Sequence, residues 1–464
     1  MNALVPIALF AWIPAVLAMF AVLPRRTAIV TSFLVAWLFL PVAGYEFSGL
    51  PNYTKITATC IGVLLGTLLF DTQRIATLRI QWFDVPMFLW CVAPFASSLT
   101  AGYGAYDGLS GTLNQVITWG IPYFMGRLRF GDLGGLKYLI LALVIGGLIY
   151  TPLCLWEVRM SPHLHQTVYG FHQHSFLQTK RIGGFRPMVF MQHGLAVGMF
   201  MSMAALASFG LWITRSQRQL LGFPLGWATG LLVGTSVLCK STGAIVLMAT
   251  GVLTLLASRY LKTSILLICA LGLPVLYMTA RTVGGWDGQE LVDLTAFVEP
   301  ERSQSLQFRM RSEDGVWSLV QQDISLGRAR FNFASDGTSG LTKQRIIGDG
   351  LWIIALGKFG VIGLMSLTVA CVLPPLMFMK RWPAAVWTQP TIAPAAVTAI
   401  IIAFMVIDNL FNAMINPLFV VAIGALAGCS STGSEVALQG FRNHAAPSVQ
   451  TARVLTSESA RSAP

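Results

Sequence analysis

Residues 263–281 read TSILLICALGLPVLYMTAR, and residues 351–379 read LWIIALGKFGVIGLMSLTVACVLPPLMFM. Both are nearly unbroken apolar runs of spanning length. Such runs become membrane helices because lipid offers the backbone no hydrogen-bond partner outside its own segment. Between them lies a polar stretch, 281–350, carrying Asp287, Glu290, Asp293, Arg309, Arg311, Glu313, Asp314, Arg328, Arg345 and Asp349. A connection of that length is uncommon unless it is functional or disordered. Its apolar punctuation (Leu294, Phe297, Leu306, Phe308, Trp317, Phe331, Phe333) predicts that it folds against the membrane domain and forms half of an active site.

The same alternation runs through the whole chain. Its 464 residues are 55% hydrophobic and only 11% charged, with a mean hydropathy of +0.67. A soluble domain carries about 25% charged residues. The fold class expected is therefore an all-α polytopic membrane protein. Apolar runs fall at 4–23, 28–43, 56–70, 85–99, 112–126, 137–156, 187–213, 223–239, 243–258, 263–280, 351–379, 391–408 and 413–428. They predict 12–13 transmembrane helices in a membrane domain over 1–428, with two long loops at about 157–186 and 281–350. No positively charged segment precedes the first run, so a cleaved signal peptide is not expected. Residues 429–464 are rich in Ser, Ala and Thr without apolar periodicity and read as a disordered cytoplasmic tail.

The net charge of +12 follows membrane topology, not nucleic acid. There is no basic stripe and no nucleic-acid motif. With thirteen spans, Arg25, Arg26, Arg74, Arg79, Arg127, Arg129, Lys137, Arg215, Arg218, Arg259, Lys262, Lys380 and Arg381 share one side. Only Lys55 and Lys240 lie in short connections on the other. The basic side is cytoplasmic by the positive-inside rule, which places both long polar loops in the periplasm together. The seven cysteines lie in or at the ends of apolar runs, which argues against a disulfide framework or a Cys-based metal site.

Several groups in these loops could carry chemistry. His163, His165, His172 and His174 form two His-x-His pairs, which admit a metal, substrate contacts or ordinary loop polarity. Arg181-Ile-Gly-Gly-Phe-Arg186 closes the first loop. Two arginines beside glycines at the mouth of a helix can grip an anionic oxygen bidentately, or simply anchor to lipid headgroups. His193 stands just inside the following run, as a catalytic or a satisfied core histidine. Gly234-Thr-Ser-Val-Leu-Cys-Lys240-Ser misses the phosphate-loop pattern by one glycine and has no strand–helix context, so nucleotide binding is rejected. In the long loop, Arg309 and Arg311 share a face if the segment is extended. Asp349 precedes a helix, where it can be an N-cap, a catalyst or both. Lys358, two turns further on, reads as a snorkelling side chain.

These residues carry a resemblance to the O-antigen ligase / O-antigen polymerase superfamily of bacterial envelope proteins. It rests on Arg181-Ile-Gly-Gly-Phe followed by His193-Gly-Leu-Ala, on Lys240-Ser-Thr-Gly-Ala after a span, and on the long loop with an early Arg and a middle Gly327 before Leu-Trp-Ile-Ile-Ala-Leu-Gly-Lys. The motifs cover about a fifth of the chain. Asp349-Gly350 stands where ligases of the family typically have His-Asn, and Ser241-Thr242-Gly243 where the family has Ser-Arg-Gly. The chain is thus more similar to the exopolysaccharide polymerase branch.

The resemblance implies a metal-independent, cofactor-free glycosyltransferase of the bacterial inner membrane with its active face periplasmic. Its donor would be a polyprenyl-diphosphate-linked glycan and its acceptor a glycan or lipid, with envelope polysaccharide assembly proteins as further partners. On this reading Arg181, Arg186, Arg309, Arg311 and Arg345 bind substrate, and Asp349 and His193 are catalytic. The alternative is a carrier that moves a lipid-linked glycan or another anion without chemistry. Transporters commonly place charges at mid-membrane, whereas here the charges crowd one mouth.

Overall fold

The computed structural model describes residues 1–431 apart from 48, 182, 299, 322 and 330–348. The expected substrate ligand Arg345 and the tail from 432 onward lie outside the described residues.

The chain is helical, as its composition requires, and all thirteen apolar runs fall on helices. Seven of these helices are long and apolar enough to cross a membrane, and the bent pair Leu4–Phe10 and Trp12–Val22 makes an eighth. The expected 12–13 spans are therefore not all matched by span-length helices. Arg25–Phe39, Lys55–Phe70, Leu225–Leu238 and Pro417–Ser431 are 14 to 16 residues long. Sixteen residues rise about 24 Å, short of the roughly 30 Å hydrocarbon core. The run at 112–126 lies inside consecutive helical segments from Gly104 to Phe130. The last helix continues past the expected boundary at 428 to Ser431.

Two departures from the apolar pattern shape the polar end of the bundle. The run that begins at 187 does not become helix until Gly194. Residues 188–191 are non-helical yet buried, Val189 completely. Such backbone survives among membrane helices only if the protein itself satisfies it, and here every group has a partner. Glu157, at the end of the Leu133–Met160 helix, accepts the N–H groups of Met188 (2.8 Å), Val189 (2.7 Å) and Leu164 (3.0 Å). The Tyr150 hydroxyl accepts from Phe190 N, and Lys55 Nζ donates to the Phe190 carbonyl at 3.1 Å. Gln173 donates to the carbonyls of Val189 and Met191.

The second departure is a break in the Leu351–Arg381 helix at Gly360, where φ is 64°. The segment Ile324–Ala329 of the long loop fills it. Val361 N donates to Ile324 O (2.8 Å), while Arg328 N and Ala329 N donate to the carbonyls of Gly357 and Lys358. Ser97 Oγ donates to Lys358 O at 2.6 Å and accepts from Ala329 N. A Cβ on Gly327 would sit 2.6 Å from Gly360 N, and one on Gly360 would sit 2.4 Å from Ser325 C. Both glycines have positive φ, so close approach and backbone geometry demand the same residue.

Candidate functional site

The long loop is not extended where it carries its arginines. Pro300–Val320 is a helix. At 100° per residue, Arg309 and Arg311 are roughly 200° apart and face opposite ways. Arg309 turns inward and is part-buried, whereas Arg311 is exposed. The expectation of a shared face therefore fails, because helical periodicity replaces the alternation of a strand.

What fixes this helix is a polar cluster at the end of the Ile265–Thr282 helix. The Arg281 side chain is 1% exposed. Its Nε donates to Glu313 Oε2 (3.0 Å), and its Nη2 donates to Asp314 Oδ1 (2.7 Å) and to Met310 O (2.8 Å). The Tyr277 hydroxyl donates to the same Glu313 oxygen at 2.8 Å, and Trp352 Nε1 reaches the other at 3.3 Å. Burial pushes the Glu313 carboxyl above its usual range, against the opposing pull of its Tyr277 and Arg281 hydrogen bonds. An ion pair this enclosed owes its standing to the completeness of its hydrogen bonds, since removing either partner would strand a buried charge. The cluster joins three helices and sets Arg309, one turn before Glu313, towards the membrane domain.

Arg309 Nε then lies 3.4 Å from Asp349 Oδ2. Its Nη2 contacts Asn412 Oδ1 at 3.4 Å, and Asn412 Nδ2 donates to Asp408 Oδ1 at 2.9 Å. Asp349 is not the helix cap it could have been: the N-cap of 351–381 is Gly350, with no side-chain cap bond. Gly350 has its own reason to be glycine, because a Cβ there would meet the Leu410 carbonyl at 2.1 Å. That close approach sets Asp349 beside the end of the Ala393–Phe411 helix.

The first loop supplies the other cations. Lys180–Arg181 and Gly184–Phe185 form a tight antiparallel hairpin with Arg181 opposite Gly184. Arg186 N donates to Thr179 O at 2.7 Å, which closes the hairpin's base. The Arg186 side chain is buried and donates through Nη2 to Lys240 O at 2.9 Å. Lys240 Nζ returns a hydrogen bond to Arg181 O at 3.2 Å. The Lys240-Ser-Thr-Gly stretch noted in the sequence is thus packed against both arginines. Gly194 leaves room for Arg186, whose Cδ would stand 2.4 Å from an added Cβ.

His193 lies among these groups. Its Nδ1 accepts the Leu195 N–H at 3.0 Å, so the histidine is the N-cap of the 194–213 helix. Its Nε2 is 3.2 Å from Gln178 Oε1, and its ring meets His174 edge-on at 4.7 Å. With Nδ1 accepting, the proton belongs on Nε2, a tautomer inferred from the partners. Burial first, then His174, Arg186, Arg309 and Arg181, push its pKa down to about 3. The three arginines of the two loops therefore act on one imidazole, which stays neutral with its basic nitrogen already occupied. This assigns His193 to holding the helix start in place and leaves Asp349 as the carboxylate able to accept a proton.

The remaining loop histidines are engaged elsewhere. His165, 1% exposed, accepts from Val42 N and contacts Phe171 O. His163 stacks on Phe176 with 4° between the rings and approaches His172. Among the described residues no group of three or more His, Cys, Asp or Glu could hold a metal ion.

Sequence reasoning missed the Arg281–Glu313 anchor, Asn412 and Asp408. The last two had a signal: an acidic residue at the end of an apolar run, with an amide one turn on, is the pattern an intramembrane polar site leaves. The arrangement can bind an anion between guanidinium groups from two loops and deliver a carboxylate to something bound beside it. Comparison with protein-family models gave no match, and comparison with curated proteins gave none.

Proposed function

We propose that this protein is a membrane glycosyltransferase that polymerises or transfers polyprenyl-diphosphate-linked glycan repeat units at the periplasmic face of the bacterial inner membrane. One observation carries the reading: Arg181, Arg186 and Arg309, from two separate polar loops, surround one imidazole, and Arg309 is paired with Asp349. Planar guanidinium groups match the oxygens of a diphosphate bidentately. They also stabilise the charge that grows there as the bond from the anomeric carbon to the diphosphate breaks. The acceptor hydroxyl oxygen bonds to that carbon, its proton passes to the Asp349 carboxylate, and the electron pair of the broken bond leaves with the diphosphate. A diphosphate leaves as a stable anion, so one base and several arginines suffice.

The experiment is direct. The purified protein in lipid nanodiscs is given lipid-linked repeat units, and the products are sized. Longer or transferred glycan with release of polyprenyl diphosphate supports the reading. Unchanged repeat units that nonetheless cross proteoliposome membranes would establish the carrier instead.

A further inference from the structure

Glycines 226, 230 and 234 recur every fourth residue on one face of the Leu225–Leu238 helix. A Cβ added at Gly230 or Gly234 would meet nothing within 4 Å. The face they open is a groove of about 750 Å³, flanked by Leu155 and Trp212 and continued by Trp227 and Leu238. Trp227 is 79% exposed and Trp212 is 45% exposed, so the groove opens sideways where lipid lies.

The groove's position identifies its occupant. At one end, Leu238 stands two residues before Lys240, which hydrogen-bonds to both Arg181 and Arg186. Leu155 stands two residues before Glu157, which clamps the backbone of the same polar loop at Leu164, Met188 and Val189. Both walls of the groove therefore end under the arginines. At the other end it reaches Arg218 and Pro224, before the helix begins. The 14-residue helix is about 21 Å long. One leaflet's share of a roughly 30 Å hydrocarbon core is about 15 Å. A phospholipid acyl chain hung from a headgroup at one face would leave the far end of the groove empty, whereas one longer chain fills it.

We propose that this groove holds the prenyl tail of the donor lipid, running from its diphosphate at Arg181 and Arg186 along Gly234, Gly230 and Gly226. The assignment rests on the polyprenyl-diphosphate donor of the proposed function. The glycines act by absence: without side chains, the helix surface is hollow enough for a branched chain to lie against the backbone.

The test uses a photoreactive long-chain polyprenyl diphosphate without any glycan, irradiated with the full-length protein in phosphatidylglycerol nanodiscs. Label should map to residues 225–238 and be displaced by unlabelled long-chain polyprenyl diphosphate but not by added phosphatidylglycerol. A Gly230→Leu/Gly234→Leu variant fills the groove with side chains that enter open space, and should lower labelling about tenfold. Gly272→Leu, at another glycine with nothing within 4 Å, should leave labelling unchanged. Label spread over all lipid-facing helices, or displaced by phosphatidylglycerol, would make this an ordinary lipid face. Cross-links between two copies through 225–238 would make it a self-association face, and either result overturns the proposal. Because the probe carries no sugar, labelling at 225–238 without any glycan transfer would remove the transferase reading and leave the groove standing. Transfer from a long-chain donor that is indifferent to the double variant would remove the groove alone.

Discussion

Arg309 and Asp349 meet at 3.4 Å, joining a helix from the middle of the long polar loop to the residue that ends it. Their side chains are 23% and 37% exposed. Ion pairs this accessible are worth about 0–1 kcal/mol, so the contact contributes little to stability. That low worth suits a site. An anionic ligand can take the guanidinium at small cost and leave the carboxylate beside it available for a proton.

The arginines separate by environment. Arg181→Ala and Arg309→Ala should each abolish product while the protein accumulates normally. Arg186→Ala should abolish product and also lower thermal stability, since Arg186 is buried and holds Lys240 O. Arg311→Ala should retain activity, because Arg311 is exposed on the opposite side of its helix. Lys at 181 or 309 should rescue poorly, an ammonium lacking the planar fork. Polymer sizing beside membrane protein levels checks all of this, and normal polymer from Arg309→Ala would dissolve the proposed clamp.

His193 makes a pH-dependent prediction about stability. Its folded pKa is pushed down to about 3, against about 6.5 in an unfolded chain. Between those values the unfolded state binds more protons, so stability is full above about pH 6.5 and falls as pH drops through the window. His193→Asn keeps an N-cap acceptor but cannot titrate. Its melting temperature should decline less between pH 7 and pH 4 than that of the wild type. Parallel declines would show that the imidazole is not held neutral by the arginines.

Composition and hydropathy made the helical membrane domain legible, and the arginine motifs marked Arg181, Arg186 and Arg309. Span length was less legible, because a 14-residue apolar helix and a spanning one look alike until their ends are seen. The Arg309–Arg311 pairing failed for a different reason. Two residues of spacing mean one face in a strand and opposite faces in a helix, and the loop's low hydropathy gave no periodicity to choose between them. The ambiguity at Asp349 was resolved by Gly350, whose contact with the Leu410 carbonyl comes from a helix distant in sequence. No local pattern encodes that contact. The Arg281–Glu313 anchor was invisible for the same reason, since its members look like ordinary loop charges until burial sets them apart.

The orientation of the bundle is testable without activity. The basic short loops predict that reporters fused after Arg218 or Arg381 are cytoplasmic, and that reporters within 157–186 or 285–345 are periplasmic. Arg181, Arg186 and Arg309 all act on His193, so the two long loops must read alike. Reporters placing them on opposite faces would end the shared-site reading.

Asp349 carries the sharpest prediction. Since Gly350 and not Asp349 caps the 351–381 helix, Asp349→Asn removes no cap and should leave expression and melting temperature nearly unchanged. It should cost about 10²–10⁴ in turnover, as loss of a positioned acid–base group does. Asp349→His places an imidazole where ligases of the O-antigen superfamily have histidine. It should recover part of that loss with an acid limb near pH 6.5, about the ordinary value for histidine. Gly350→Ala separates position from chemistry: it keeps the carboxylate but drives a Cβ to 2.1 Å from the Leu410 carbonyl. That variant should lose activity and stability together, whereas Asp349→Asn loses activity alone. Wild-type turnover from Asp349→Asn would remove the carboxylate from the reaction. Asp408, which Asn412 links to Arg309, would then be the next carboxylate to replace.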